Sequence, residues 1–187
     1  EKGGVAKTPT TLSLCGAFVE AGYRVLAVDL DPQANLTLSL AENSANIARS
    51  IVDIFGNNVP FETAILKTNQ ENLNLLPANN ELGLAERILP SMPDYTNYLK
   101  HLLDQKKENY DYVLMDCPPF LGAITTNALN ASDLLILPTQ AEYYSVYALR
   151  NMMTLIRQIR SNGNPGLKYR LLLTMFDKRN RIHCSLA

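Results

Sequence analysis

Cysteine is scarce in this chain: Cys15, Cys117 and Cys184 are the only three, and they stand far apart. That spacing supplies neither a disulfide framework nor a set of metal-binding thiols. The three read as small buried hydrophobes or incidental thiols, and they suit a reducing, cytoplasmic setting. No apolar run approaches the ~20 residues that a membrane-spanning helix needs, and no signal-peptide pattern is present. Internal repeats, low-complexity tracts and linkers are also missing. With 187 residues, one domain over 1–187 with a sizeable core is the expectation. Net charge is almost absent, at −1, but it is unevenly spread. From Arg150 onward eight Lys or Arg face a single acid, Asp177. Such asymmetry fits a nucleic-acid-facing end and a solvated basic helix face equally well.

What the chain does carry starts at its first residue. Glu1-Lys2-Gly3-Gly4-Val5-Ala6-Lys7-Thr8-Pro9-Thr10-Thr11 has the chemistry of a phosphate-binding loop. Gly3 and Gly4 let backbone N–H groups, including those of Val5 and Ala6, converge on phosphate oxygens. Lys7 supplies charge, and Thr8 offers a hydroxyl for Mg²⁺. The helix that follows points its positive end at the same anion. The strict G-x-x-x-x-G-K-[ST] pattern fails twice, at Glu1 and Ala6. The extra Lys2, five residues before Lys7, resembles the deviant loop K-G-G-x-G-K-[ST] of the ParA/MinD superfamily of P-loop ATPases. The plainer alternative is a Gly-rich turn with two solvated lysines. A loop of this kind is normally launched from a buried strand. None can precede Lys2, and the chain does not begin with Met, so it reads as a truncated piece. The resemblance places the launching strand in the middle of the sheet.

Strand and helix signals alternate from there on. Thr8 to Ala21 carries Leu12, Leu14, Cys15, Phe18 and Val19 at helical spacing, with Pro9 in the first turn and Gly22 as the stop. Arg24 to Asp29 has the near-continuous apolar character of a buried parallel strand. The stretch from Asn35 to about Asn58 is expected to be mostly helical, with Ile47, Ile51, Val52, Ile54 and Phe55 inward. A short helix and turn over Pro60–Thr68, a strand at Leu73–Pro77, and helices over Ala78–Leu89 and Tyr95–Lys107 follow. Tyr112–Asp116 reads as a buried strand, Leu134–Pro138 and Arg170–Thr174 as two more. Between those last two, Tyr144–Arg160 makes a helix with Val146, Leu149, Met152, Met153, Leu155, Ile156 and Ile159 inward. The alternation predicts an α/β fold with a doubly wound, mostly parallel sheet flanked by helices.

Three later segments extend the resemblance. Asp116 closes an apolar strand, as a Walker B carboxylate reaching Mg²⁺ does. With Cys117-Pro118-Pro119-Phe120-Leu121-Gly122 after it, and Thr125, Asn127, Ala128 and Leu129 beyond, it resembles switch II of ParA/Soj-type partition ATPases, with Phe120 where Ser is common. Asp29-Leu30-Asp31-Pro32-Gln33-Ala34-Asn35 resembles their switch I, which implies that Asp31 orients the attacking water. Alone, Asp31 reads more readily as a helix N-cap or turn residue before Pro32; the phosphate-binding loop tips it toward the site. Leu75–Asn79, Pro138–Tyr144 and Leu172–Asp177 match further segments, and Met175 is placed near the adenine by the same likeness.

The resemblance implies an ATPase of the P-loop NTPase fold, with Mg²⁺ and ATP or ADP bound. Two subunits sandwich two nucleotides, and Lys2 of one reaches the phosphates of the other. A group supplied in trans in this way is worth roughly 4–7 kcal/mol in arginine-finger systems. ATP then favours a homodimer and hydrolysis releases it, moving cargo such as replicated DNA, with a ParB-like partner stimulating turnover. Binding of nonspecific duplex DNA, and hence a nucleoid location, is implied as well. Two departures bear on this. Ala6 costs on the order of 1 kcal/mol if its φ is positive. Pro9 lacks the N–H expected to meet the α-phosphate, and it biases Thr8 away from helical dihedrals. A nucleotide-binding regulator with impaired hydrolysis is therefore an alternative. So is a metabolic relative such as dethiobiotin synthetase or the nitrogenase iron protein, although Cys117 does not resemble a cluster ligand. A MinD-like membrane role needs a C-terminal amphipathic helix, beyond the family segments matched here.

Overall fold

The computed structural model describes residues 4–44, 47–57 and 59–179. Lys2, Gly3, Asn58, Arg181 and Cys184 fall outside that set, as do the side chains at 57 and 143–146, Val146 among them. Helix α1 spans Lys7–Glu20. It is stopped by Gly22 at φ 88°, where the Tyr23 amide reaches back to the Phe18 carbonyl at 3.0 Å. Strand β1 (Val25–Asp29) follows and is buried along its whole length. It lies inside a four-stranded sheet of order β2-β3-β1-β4, with β2 at Leu66–Lys67, β3 at Leu73–Leu76 and β4 at Tyr112–Asp116. β1 runs parallel to β3 and β4, and only the short β2 is antiparallel.

The all-apolar character of β1 has a direct cause. Leu26 and Val28 face one core with Ile51, Ile54, Phe55, Leu76, Leu82, Leu99 and Ile124. Val25 and Ala27 face a second with Cys15, Val19 and Leu36. With both faces covered, alternation of polar and apolar residues has no place. A second sheet pairs β5 (Leu134–Gln140) with β6 (Lys168–Thr174) in parallel, joined through α7 (Tyr143–Asn162). β4 and β5 do not pair with each other. Between them runs a cavity of about 660 Å³, from Phe18 and Tyr112 at one end to Lys7 and Thr139 at the other. The middle of the sheet, where the resemblance puts a launching strand, is where the two sheets part. β4, read as a buried strand, is a strand whose Asp116 is buried, while Tyr112 is exposed and Val113–Met115 are half-buried along the cavity.

The expected long helix after Asn35 is two short ones, α2 (Asn35–Leu40) and α3 (Ile51–Asn57). The break is written in hydrogen bonds. Ser50 starts α3 by donating its amide to Asp53 Oδ2 at 2.8 Å and accepting the Val52 amide on Oγ at 3.3 Å, a reciprocal cap. Ile47, expected on a helical core face, is half-buried in irregular chain. α4 is shorter than anticipated, Leu82–Ile88, because Asn79 Oδ1 takes the Glu81 amide and makes a turn, and Pro90 turns the far end into a 3₁₀ stretch. Tyr95–Asn97 is likewise 3₁₀, and α5 occupies Tyr98–Asp104. α6 (Ala123–Ala131) packs against α5, and the helix–sheet layering is the mixed α/β arrangement predicted. Along α7, Ile156 and Ile159 are buried while Leu149, Met152, Met153 and Leu155 are half-buried. No described helix is long and apolar enough to cross a membrane.

Candidate active site

Three chain segments meet at the C-terminal ends of β1 and β4. β1 and β4 are in register so that Asp29 and Asp116 are direct neighbours across the pair. The loop Gly4–Ala6 and the first turn of α1 stand beside them. Gly4 sits at φ 79° and Ala6 at φ 65°, so the left-handed conformation that glycine takes freely is imposed on an alanine. The loop is tied on its far side to the second sheet. Gln140 Nε2 donates to the Gly4 carbonyl at 3.2 Å, and Thr174 Oγ1 to the Val5 carbonyl at 3.1 Å. Gln140 also touches Met175 Sδ at 2.8 Å, which brings the exposed Met175 to the loop's edge.

Pro9 proves compatible with the helix. α1 begins at Lys7, so the missing N–H belongs to the first turn, where no intrahelical acceptor exists. The first helical bond runs from Thr10 N to Ala6 O at 3.0 Å. Thr8 is helical despite preceding proline, which corrects the expectation that Pro9 would push it out.

Thr8 Oγ1 donates to Asp116 Oδ2 at 2.5 Å. Asp116 is only 2% exposed, and its Oδ1 has no partner among the described residues. Burial is the main reason that its carboxyl is pushed up to about 6, and the neighbouring Asp29 and Asp31 add to it, against the Thr8 hydroxyl and the Lys7 charge. A buried carboxylate oxygen with no donor to accept from fits a cation ligand. Among the described residues no group of three or more His, Cys, Asp or Glu forms a metal cage. One carboxylate and one hydroxyl suit Mg²⁺, which takes its remaining ligands from water and phosphate.

Asp29, passed over in the sequence, organises the opposite wall. It is wholly buried and accepts the Thr37 amide and hydroxyl, each at 2.8 Å, and the Asp31 amide at 3.1 Å. Burial raises its pKa, and those three donors oppose the rise. Thr37 Oγ1 in turn accepts the Ala78 amide at 2.9 Å, so α2 is bolted to the end of β3. Asp31 is left half-buried above, its Oδ1 accepting the Gln33 amide at 2.9 Å while the chain turns at Ala34, φ 53°. The structure therefore brings together Gly4, Val5, Ala6, Lys7, Thr8, Pro9, Asp31, Asp116 and Met175; Lys2 and Gly3 lie outside the described residues. Cys117 follows Asp116, and burial pushes its thiol up to about 12, as it does for Cys15. Neither is a nucleophile at neutral pH. Thr37, Gln140 and Thr174 had no signal of their own; Asp29 did, as the first carboxylate of an Asp-x-Asp at a strand end.

Comparison with known proteins gives a consistent picture. The family model described as AAA domain matches residues 1–169. The sporulation initiation inhibitor protein Soj of Bacillus subtilis is 38% identical over 184 residues, which cover 97% of this chain and 72% of Soj. The chromosome partitioning protein ParA of Myxococcus xanthus is 37% identical over 183 residues, 97% of this chain and 65% of that protein. Among solved structures, cobyrinic acid a,c-diamide synthase from Mycobacterium smegmatis with bound ATP analogue and magnesium superposes with a TM-score of 0.92 at 35% identity, covering 99% of this chain and 76% of that one. A plasmid partition protein from Borrelia burgdorferi gives 0.83 at 29% identity, with 99% and 79% covered. This chain is shorter than each of them.

Proposed function

Because the chain belongs to the ParA/Soj-type family of P-loop ATPases, we propose that it binds Mg²⁺-ATP between the Gly4–Thr8 loop, Asp31 and Asp116 and hydrolyses it to ADP and phosphate. The observation that carries this reading is the buried, unpartnered Oδ1 of Asp116 beside a hydroxyl at a helix N-terminus. Thr8 and Asp116 would hold the Mg²⁺, whose charge, when bound, offsets that of the phosphates. Backbone amides of the loop and the N-terminus of α1 receive phosphate oxygens, and Lys7 adds a positive charge there. Asp31 positions the attacking water, held at its post by the Asp29–Thr37 network beneath it. Phosphoryl transfer asks for little more than such positioning and charge stabilisation.

The finer reading is an ATP-controlled homodimer in which Lys2 completes the partner's site. That switch positions cargo, with replicated DNA as the leading candidate, a ParB-like protein as the stimulating partner, and nonspecific duplex DNA in the cytoplasm as the track. Support comes from the likeness to proteins named for chromosome and plasmid partition and from the basic stretch after Arg150. A second reading, a metabolic ATP-dependent synthase on the same fold, is favoured by the likeness to cobyrinic acid a,c-diamide synthase. Salt-dependent DNA binding that requires ATP separates the two, since a synthase has no use for it. The test of the shared core is turnover by the full-length protein beside Lys7→Ala and Asp116→Ala. The expected result is Mg²⁺-dependent ATP hydrolysis lost by a factor on the order of a hundred or more in either variant. Equal turnover in all three would place the chemistry elsewhere.

A further inference from the structure

Helix α6 has no cap of its own. Gly122 precedes it without a side chain to offer, yet the amides of Ala123 and Ile124 are both satisfied, by the carboxylate of Glu86 on α4, with Ile124 N at 3.0 Å from Oε2. A negative group at a helix N-terminus is favoured by charge as well as by hydrogen bonding. Gly122 adopts φ −124° and ψ −160°, extended backbone that any residue can take. A Cβ at Gly122 would overlap the Glu86 carboxylate, the far end of a flexible side chain, which would have to move off the α6 amides to make room.

The position of that contact gives it meaning. Residues 117–122 link Asp116, at the end of β4, to the first residue of α6. Thr125 Oγ1 holds the Phe120 carbonyl at 2.7 Å, which folds the link back on the helix. The rest of α6 is already fixed from outside. Asn127 Oδ1 accepts the Leu99 amide, Asn130 Nδ2 donates to the Thr96 carbonyl, and Asn164 Nδ2 donates to the carbonyls of Leu129, Asn130 and Ser132. In the first turn of α6, Ala123 and Ile124 pack into the core, and among the described residues Glu86 is the side chain from outside the helix that takes their amides.

We propose that Glu86 is a positioning residue for ATP hydrolysis: seated in the space that Gly122 leaves, its carboxylate holds residues 117–122 in the arrangement that keeps Asp116 aligned through turnover. This rests on the ATPase reading. Among the described residues Glu86 bonds the Ala123 and Ile124 amides and not the Gly4–Thr8 loop or α1, which receive the phosphates; it acts on the site only through Asp116, so its loss lowers the chemical step more than it weakens ATP binding.

The experiment uses the full-length protein and Glu86→Ala, Glu86→Gln, Gly122→Ala and the Glu86→Ala/Gly122→Ala double variant. Glu86→Ala lowers kcat about ten- to a hundredfold, the scale of a modest misplacement, with KM for ATP within about twofold of wild type. Hydrogen exchange at the Ala123 and Ile124 amides speeds up in the same variant, a direct reading of the lost cap. Gly122→Ala, which keeps the carboxylate but evicts it, reproduces both effects, and the double variant is no worse than Glu86→Ala alone. Glu86→Gln, with one acceptor oxygen left, recovers part of kcat. A wild-type kcat in Glu86→Ala, a rise in KM alone, or losses that multiply in the double variant would overturn the proposal. If the wild-type protein itself fails to hydrolyse ATP, the ATPase reading falls and takes this inference with it; hydrolysis by wild type with an indifferent Glu86 removes this inference alone.

Discussion

At the scale of single residues, the site is built from groups that work against the stability of the fold. Asp116 and Asp29 are adjacent, buried carboxylates. The Asp116 carboxyl titrates at about 6 instead of 3.8. Between those values the native state holds a proton that the unfolded chain has released, so stability falls as pH rises through the window and stays lower above it, by about 3 kcal/mol. Asp116→Asn in the metal-free protein should therefore raise the melting temperature at about pH 8, by ~2–4 °C per kcal/mol recovered, and leave it nearly unchanged below about pH 4. Thermal melts at the two pH values check this; an equal shift at both contradicts it. Pro9 belongs to the same scale. It leaves the helix intact, yet it removes one N–H from the helix N-terminus that the proposed site turns toward the phosphates. Pro9→Thr should tighten ATP binding by about ten- to a hundredfold, the worth of a hydrogen bond to a charged oxygen, as read by titration with a fluorescent nucleotide. Unchanged affinity would mean that this position does not face the phosphates.

At the scale of elements, α6 shows how a helix can be held by its neighbours. At its C-terminal end Asn164 donates to the carbonyls of Leu129, Asn130 and Ser132 at 3.0, 3.3 and 2.7 Å, beside Ser132 Oγ, which donates to the Ala128 carbonyl at 2.6 Å. Asn164→Ala leaves those carbonyls short of a donor and should cost about 1–3 kcal/mol in a denaturant titration; a loss near zero would show that water replaces it. Elements also mark what a reader of the sequence could and could not see. Strands β1 and β4 were legible because short apolar runs ending in Asp have few other readings. The break between α2 and α3 was not, since Ser50 and Asp53 sit within a stretch whose apolar spacing continues across them. β2, at two residues, is too short to leave any period. Lys7, Thr8 and Asp116 could be proposed from the sequence because loop and strand-end chemistry is local, and the fold places Thr8 against Asp116. The Asp29–Thr37–Ala78 chain and the Glu86–Gly122 contact join residues up to 41 positions apart, and only the fold brings them together.

At the scale of the whole molecule, the loop of the candidate site is bonded to both sheets. Gln140 and Thr174 of the second sheet grip Gly4 and Val5, while Thr8 bonds Asp116 of the first. On the proposed reading, phosphate bound at the loop would act on both sheets through these bonds. A dimer assembled over this face would read the nucleotide state directly, which is the physical content of an ATP-controlled switch. The most direct measurement is sedimentation velocity of the full-length protein with Mg²⁺-ATP and with Mg²⁺-ADP, beside Asp31→Ala. The account predicts a dimer with ATP, a monomer with ADP, and a persistent ATP dimer in the variant, which binds but cannot turn over. A single species of the same mass in all three would contradict it.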